Sequence, residues 1–323
     1  MIPIRDTIRS ETYPIVNSLI IAVNVMVFFV QLSQGQRLNE FINTYGLVPA
    51  RYAVPQISAY FTTGQQVISF LTFMFLHGGF FHLIGNMWSL YIFGDNVEGR
   101  LGHFRYLVFY LLCGLASGMS HLVINRYSEI PTIGASGAIA GVMGAYFILY
   151  PRAKVLALVP VFFFLHFVEL PAFLFLGIWF LFQFLSAAGA SAQAGGIAWW
   201  AHIGGFIFGF IFLKLFEMVP EMGAGRKFRR LTKKRTTPRL QVIRPAGLGD
   251  DPDLYGIISV SEREALLGAR KLVNIAHGLK KRTFLLTIPP GVSEGSKLRL
   301  KGMGRQTAEG VRGDLYLKVD IRG

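Results

Sequence analysis

Three polar clusters stand inside otherwise apolar stretches, and their chemistry is complementary: Gly134-Ala135-Ser136-Gly137, Ala201-His202-Ile203-Gly204-Gly205 and His82-Leu83-Ile84-Gly85-Asn86. A serine hydroxyl is a weak nucleophile until a base within about 2.6 to 3.2 Å takes its proton. Ser136 and His202 are candidates for that pair. His82 and Asn86, at i and i+4 on one helical face, are donors of the kind that hold the oxyanion of a tetrahedral intermediate, and the backbone N–H of Ser136 is a third. Taken singly, Ser136 reads as a small helix-packing residue, His202 as a hydrogen-bonded interhelical histidine and Asn86 as interhelical glue. Polar groups inside membrane spans are costly and usually functional, so a shared depth favours the catalytic reading. No membrane-facing Asp or Glu lies near Ser136 or His202 in sequence, so the expectation is a dyad without an acidic third member.

A serine can meet a histidine across two helices only if the backbones approach closely. Gly137 and Gly141 are four apart, as are Gly205 and Gly209, each a small-xxx-small packing pattern. Gly205 also shares a helical face with His202. Gly134, Gly137 and Gly205 are therefore expected to support the pair, and His77 is read as a supporting donor or, equally, as ordinary loop polarity.

The elements that must carry these residues are membrane helices. Hydrophobic residues make up 52% of the 323 and charged residues 15%, against about 25% charged in soluble domains. Segments near 15–32, 80–97, 104–124, 134–150, 170–187 and 199–217 have the composition of bilayer-crossing helices, which need about 20 mostly apolar residues. The fourth is short and glycine-rich, and 155–167 is apolar without a clear division between loop and helix. Arg5 and Arg9 precede the first segment, but no A-x-A-like site follows it, so it reads as a retained anchor.

Lys and Arg cluster before the first segment, between the second and third (Arg100, Arg105), between the fourth and fifth (Arg152, Lys154), and after the sixth. The positive-inside rule makes those ends cytoplasmic. Ser136, His202 and the loop from Ser33 to Gly79 then face the external side, with both termini cytoplasmic. Glu98 and Arg100 are expected to anchor the second span at the cytoplasmic face. The net charge of +14 sits almost wholly beyond residue 217, where 22 basic residues face 10 acidic ones. The run Arg226, Lys227, Arg229, Arg230, Lys233, Lys234, Arg235 and Arg239 suits anionic headgroups rather than nucleic acid. The single cysteine, Cys113, excludes an internal disulfide. No phosphate-cradling loop or metal-ligand spacing is present, and no cofactor is implied. The G-x-S-x-G elbow of α/β hydrolases fails at Ala138.

Beyond the basic run, alternating residues in Lys280–Ile288, Lys297–Leu300 and Asp314–Ile321 read as strands separated by Pro-Pro-Gly and glycine-rich turns.

Phe75-Leu76-His77-Gly78-Gly79-Phe80-Phe81-His82-Leu83-Ile84-Gly85-Asn86-Met87, Gly94-Asp95-Asn96-Val97-Glu98 and the Ser136 and His202 motifs together resemble the rhomboid family of intramembrane serine proteases, over about residues 15–217. The resemblance implies a six-helix bundle in which Ser136 attacks, His202 is the base, and His82, Asn86 and the Ser136 amide hold the oxyanion. It implies single-span substrates whose helix unwinds near its external end, since a hydrogen-bonded helix hides its carbonyls. Two positions depart from the family pattern: Ile68-Ser69 stands where relatives often carry Trp-Arg, and Ala140 where many have an aromatic that stacks on the base. Glu264–Gly268, Ile288–Val292, Gly295–Gly304 and Gly313–Leu317 resemble the C-terminal client-binding region of DnaJ-type co-chaperones, without a His-Pro-Asp signature or a Cys-rich zinc module. That resemblance implies a small all-β sandwich able to bind extended peptide by strand addition or to self-associate.

The expected organisation is therefore an N-terminal cytoplasmic segment (1–14), a six-helix membrane protease domain (15–222), a basic linker (223–253) and a β domain (254–323). The expected setting is the cytoplasmic membrane of a bacterium, with single-span proteins and lipid as partners and the oligomeric state open. The rival readings are a catalytically silent client-binding protein of the same fold and a membrane-tethered co-chaperone.

Overall fold

Without water to satisfy the backbone, an apolar segment must close its own hydrogen bonds, and the long apolar stretches are helical. The computed structural model describes the chain apart from residues 9, 162–163, 190–197, 220–222, 233–239, 248–250, 278–279, 308–311 and 323. It divides into two units, residues 1–233 and 234–323. The first contains, in chain order, β1 (Ile2–Asp6), α1 (Ile15–Leu32), α2 (Leu38–Tyr45), the short α3 (Ala50–Ala53) and α4 (Pro55–Ser58), α5 (Thr63–Thr72), α6 (Phe80–Leu101), α7 (His103–Ile124), α8 (Ser136–Leu149), β2 (Lys154–Val161), β3 (Phe164–Pro171), α9 (Ala172–Gly189), α10 (Trp199–Met218) and α11 (Gly223–Leu231).

Each apolar segment read from the sequence coincides with a helix, yet fewer than six qualify as crossings. Among the described residues, α1, α7, α9 and α10 are long and apolar enough, and Thr63–Phe75 with α6, bent by 76°, adds a fifth if the pair counts as one broken span. The reasons are local. Asp95, Glu98 and Arg100 lower the apolarity of the last two turns of α6, and α8 has 14 residues, short of the length a crossing needs.

The short helix is the centre of the unit. Every residue of α8 from Gly137 to Tyr146 is buried, and its glycines let neighbours in. A Cβ on Gly205 would run into the carbonyl of Gly137, and one on Gly209 into the carbonyl of Gly141. A Cβ on Gly141 would meet Cys113 of α7 at 2.5 Å. Between apolar helices in lipid, this close packing replaces the hydrophobic drive available in water.

Glu98, read with Arg100 as an anchor of the second span, makes its contacts inside the unit. It is fully buried, and its carboxylate accepts the backbone N–H groups of Val16 (3.0 Å) and Asn17 (2.7 Å) at the start of α1. A helix N-terminus has unsatisfied donors and a positive dipole end, and a carboxylate answers both. Glu98 also bonds His103 Nδ1, and His103 Nε2 meets Thr232 Oγ1 at 2.6 Å. Arg100 is the exposed partner of Glu217 at 3.3 Å. Of the expected basic run, Arg226, Lys227, Arg229 and Arg230 fall on α11, while Lys233, Lys234, Arg235 and Arg239 lie outside the described residues, as does Arg9.

The segments 1–14 and 155–167 hold structure that the helical reading did not anticipate. β1, β2 and β3 form an antiparallel sheet in that order. Pro160 is tolerated in the middle strand because β1 pairs no further than Leu158, leaving the nitrogen of Pro160 on an open edge. Asp6, at the end of β1, bonds Tyr146 of α8 at 2.5 Å and Asn96 of α6 at 2.9 Å.

On the other side of the bundle, Arg51 is buried and stacks 3.6 Å over Phe61 while donating to the last carbonyls of α2, Asn43 and Thr44. Ser69, at the position of the departing pair, bonds the hydroxyl of Tyr52 at 2.6 Å. Leu47 and Thr132 exchange backbone hydrogen bonds of 3.0 and 2.8 Å, which tie this loop to the segment entering α8.

The second unit contains β4 (Leu240–Ile243), β5 (Leu254–Ser261), α12 (Glu262–Leu267), β6 (Ala269–His277), β7 (Lys280–Ile288), β8 (Lys297–Leu300) and β9 (Leu315–Arg322). They form two three-stranded sheets, β4-β6-β7 and β5-β9-β8, which share a core including Val273, Ile275, Ile258, Val260, Leu317 and Val319. β4 falls in the stretch read as linker, yet pairs in parallel with β6. A capping box between Ser261 and Glu264 starts α12.

Candidate active site

The turn into α8 sets the position of Ser136. Gly134 has φ +132°, a region that side-chain-bearing residues avoid, and its backbone N–H donates to Phe73 O at 2.9 Å. A Cβ on Gly134 would lie 2.9 Å from the ring of His82. Glycine here therefore serves both the turn and the approach of His82. Ser136 is the first residue of α8, so its N–H has no acceptor within the helix.

Ser136 Oγ lies 2.7 Å from His202 Nε2. The helices that carry them meet through the Gly137–Gly205 contact described above. On the opposite edge of the imidazole, Nδ1 lies 2.7 Å from Oε1 of Gln183 on α9. Trp179, one turn earlier on the same helix, and Trp199 have ring centroids 6.0 and 6.3 Å from that of His202.

The Gly78 N–H donates to His82 Nδ1 at 3.2 Å. A ring nitrogen that accepts cannot carry the proton, so the neutral His82 bears it on Nε2. The position a Gly134 Cβ would take is 3.0 Å from that Nε2 and 3.5 Å from Ser136 Oγ, so donor and hydroxyl flank the same space. A cavity of about 510 Å³ opens here, lined by Ser136, His202, His82, Gly134, Ser117 and the stretch 131–133, among others.

Asn86 is one turn further along α6 and does not line the cavity. It is buried, and its amide nitrogen has no hydrogen-bond partner among the described residues. His77 is fully buried. It packs edge-on against His82 at 5.3 Å between centroids, and its backbone is clamped by Gln31 through bonds of 3.0 and 2.6 Å. Its ring touches His82, the contact through which it can support that residue.

The structure thus brings Ser136, His202, His82, Gly134, Gly137 and Gly205 together, with Asn86 and His77 behind them. Sequence reasoning passed over Gln183, Trp179 and Ser117. Gln183 left a readable signal, since it is the one strongly polar side chain in the apolar run 172–185, and polar residues inside spans deserve the same scrutiny as Ser136. Ser117, whose hydroxyl is buried and unpartnered, looks in sequence like any small packing residue.

Residues 64–217 match the family described as Rhomboid domain, and residues 249–323 the DnaJ C terminal domain. The chain is 28% identical over 200 residues to Rhomboid protein 1, mitochondrial, of Saccharomyces cerevisiae, covering 60% of this chain and 51% of that protein. It is 30% identical over 133 residues to Rhomboid protease GluP of Bacillus subtilis, covering 41% and 24%. It is 33% identical over 84 residues to Inactive RHOMBOID-like protein 8 of Arabidopsis thaliana, covering 26% and 23%. The matched part spans about half the length of these relatives or less.

Proposed function

We propose that this chain, a multi-pass membrane protein joining a rhomboid domain to a DnaJ C terminal domain, is a serine endopeptidase that cuts single-span membrane proteins. The observation that carries this reading is the 2.7 Å separation of Ser136 Oγ and His202 Nε2 at the wall of a cavity.

His202 Nε2 takes the Ser136 proton as Oγ attacks the scissile carbonyl carbon. The oxyanion receives hydrogen bonds from His82 Nε2–H and the Ser136 N–H, with Asn86 Nδ2 as a third donor once substrate is bound. The imidazolium then protonates the leaving amine, and a water activated by the same nitrogen hydrolyses the acyl-enzyme. The substrate helix must open at the cut, because its carbonyls are otherwise engaged. Charge distribution supports an active site on the external side with both termini cytoplasmic, as in a bacterial inner membrane. The β unit then lies across the membrane from the site. Its two sheets on one core support a sandwich that binds an extended client segment along a sheet edge.

Cleavage of a single-span substrate by the reconstituted protein tests the reading. Ser136→Ala and His202→Ala should each abolish cleavage while the fold is retained. Cleavage unchanged in Ser136→Ala, or none by the unmodified protein across several substrates with helix-breaking residues, leaves the silent client-binding reading instead.

A further inference from the structure

The base of a serine hydrolase must present a bare Nε2, so something must hold its proton on Nδ1. On α8 the residue four after the serine is Ala140, which offers the ring no aromatic partner. Ala140 is fully buried, and its methyl group packs against α10, 3.3 Å from the place a Cβ on Gly205 would take. A different helix touches the ring. α9 presents Trp179 and Gln183, four residues apart on one face, the first packed near the imidazole and the second with its Oε1 at 2.7 Å from Nδ1. Gln183 is buried, so its carbonyl acts where water competes little and a hydrogen bond orients strongly.

We infer that Gln183 and Trp179 are the positioning residues of the base, with Gln183 Oε1 accepting Nδ1–H and so fixing the tautomer in which Nε2 takes the Ser136 proton. The inference rests on the serine–histidine reading for its catalytic consequence, but not for the tautomer itself. A neutral amide does this without an acidic residue. The imidazolium formed during attack keeps its Nδ1–H bond to the same oxygen, so no proton leaves the ring on that side. If the amide nitrogen faced Nδ1 instead, the proton would sit on Nε2 and the ring could not act as base.

The test uses the full chain in proteoliposomes with Gln183→Leu and Gln183→Glu. Leu removes the acceptor, and kcat should fall at least about tenfold with KM unchanged, as loss of a tautomer-holding partner does elsewhere. Glu keeps an acceptor and adds charge. It should retain activity at its own optimum, with the acid limb of the kcat/KM profile moved to higher pH by about one unit or more. Independently of turnover, ¹⁵N NMR of histidine-labelled protein, with His202 assigned by its loss in His202→Asn, should show Nδ1–H in the unmodified protein and a mixture in Gln183→Leu. An Nε2–H tautomer in the unmodified protein overturns the inference. So does kcat within twofold in Gln183→Leu, or an equal loss in both variants with an unmoved pH profile, which is the signature of packing alone. An inactive protein that nevertheless holds His202 as Nδ1–H through Gln183 sinks the protease reading and leaves the inference standing.

Discussion

Ser136 owes its proposed reactivity to three things around it: a glycine two residues earlier in a left-handed turn, a helix N-terminus at its own amide, and an imidazole 2.7 Å from its oxygen. Asn86 is the more demanding case. Its amide nitrogen is buried without a partner among the described residues, and an unmade hydrogen bond on a buried donor costs about 1–3 kcal/mol. A donor held idle at that cost is consistent with one whose acceptor arrives only with the reaction. Asn86→Ala should therefore lower kcat by about 10² to 10³ with little change in KM, and should leave thermal stability equal or higher. A raised KM with kcat unchanged would instead place Asn86 in ground-state binding.

At the scale of elements, α8 is too short to cross a membrane unaided and too buried to act as a surface helix, so its position depends on the close approach of its neighbours. Gly205→Val should push α10 away from Gly137, lower the melting temperature in detergent and slow fluorophosphonate labelling of Ser136. Gly177→Val on α9, where a Cβ meets nothing within 4 Å, should change neither. Glu98 joins three elements by capping α1 from α6 and bonding His103 of α7. Glu98→Ala strands two backbone donors and one imidazole, so denaturation in micelles should show a loss of more than about 1–3 kcal/mol, the cost of a single orphaned group.

For the whole molecule, the two units answer to different conditions. In the β unit, Asp314 accepts the Gly302 N–H at 2.7 Å and the Arg299 guanidinium at 2.5 Å, and these donors hold its carboxyl below the usual carboxylate range. A depressed folded pKa contributes stability that is present above the unfolded value of about 3.9 and is lost as pH falls through the folded value. Melting of the β unit should therefore drop on acidification below about pH 4, and Asp314→Asn should flatten that dependence while lowering the neutral-pH value. The opposite slope would remove Asp314 as its source. The basic residues at alternate helix ends lead to a second expectation: in intact cells the β unit should be protected from externally added protease. Its digestion would invert the proposed topology.

Hydropathy alone determined where the long helices lie, because the bilayer imposes one length and one polarity on every crossing. Lone polar residues in those runs marked Ser136, His202, His82 and Asn86, and the glycine spacing marked which helix faces touch. Alternation marked β7, β8 and most of β9, whose faces differ in burial. The sequence was silent where a residue's role depends on a distant partner. Glu98 looks like an interfacial anchor until α1 is seen to start on it. The segment 155–167 has no single period because its strands are apolar on both faces, and β4 becomes a strand only by pairing with β6. Gln183 is an ordinary amide until α9 brings it to Nδ1 of His202. Local patterns record the solvent each residue meets, but a hydrogen bond between helices exists only once their crossing and rotation are set, and tertiary packing decides that.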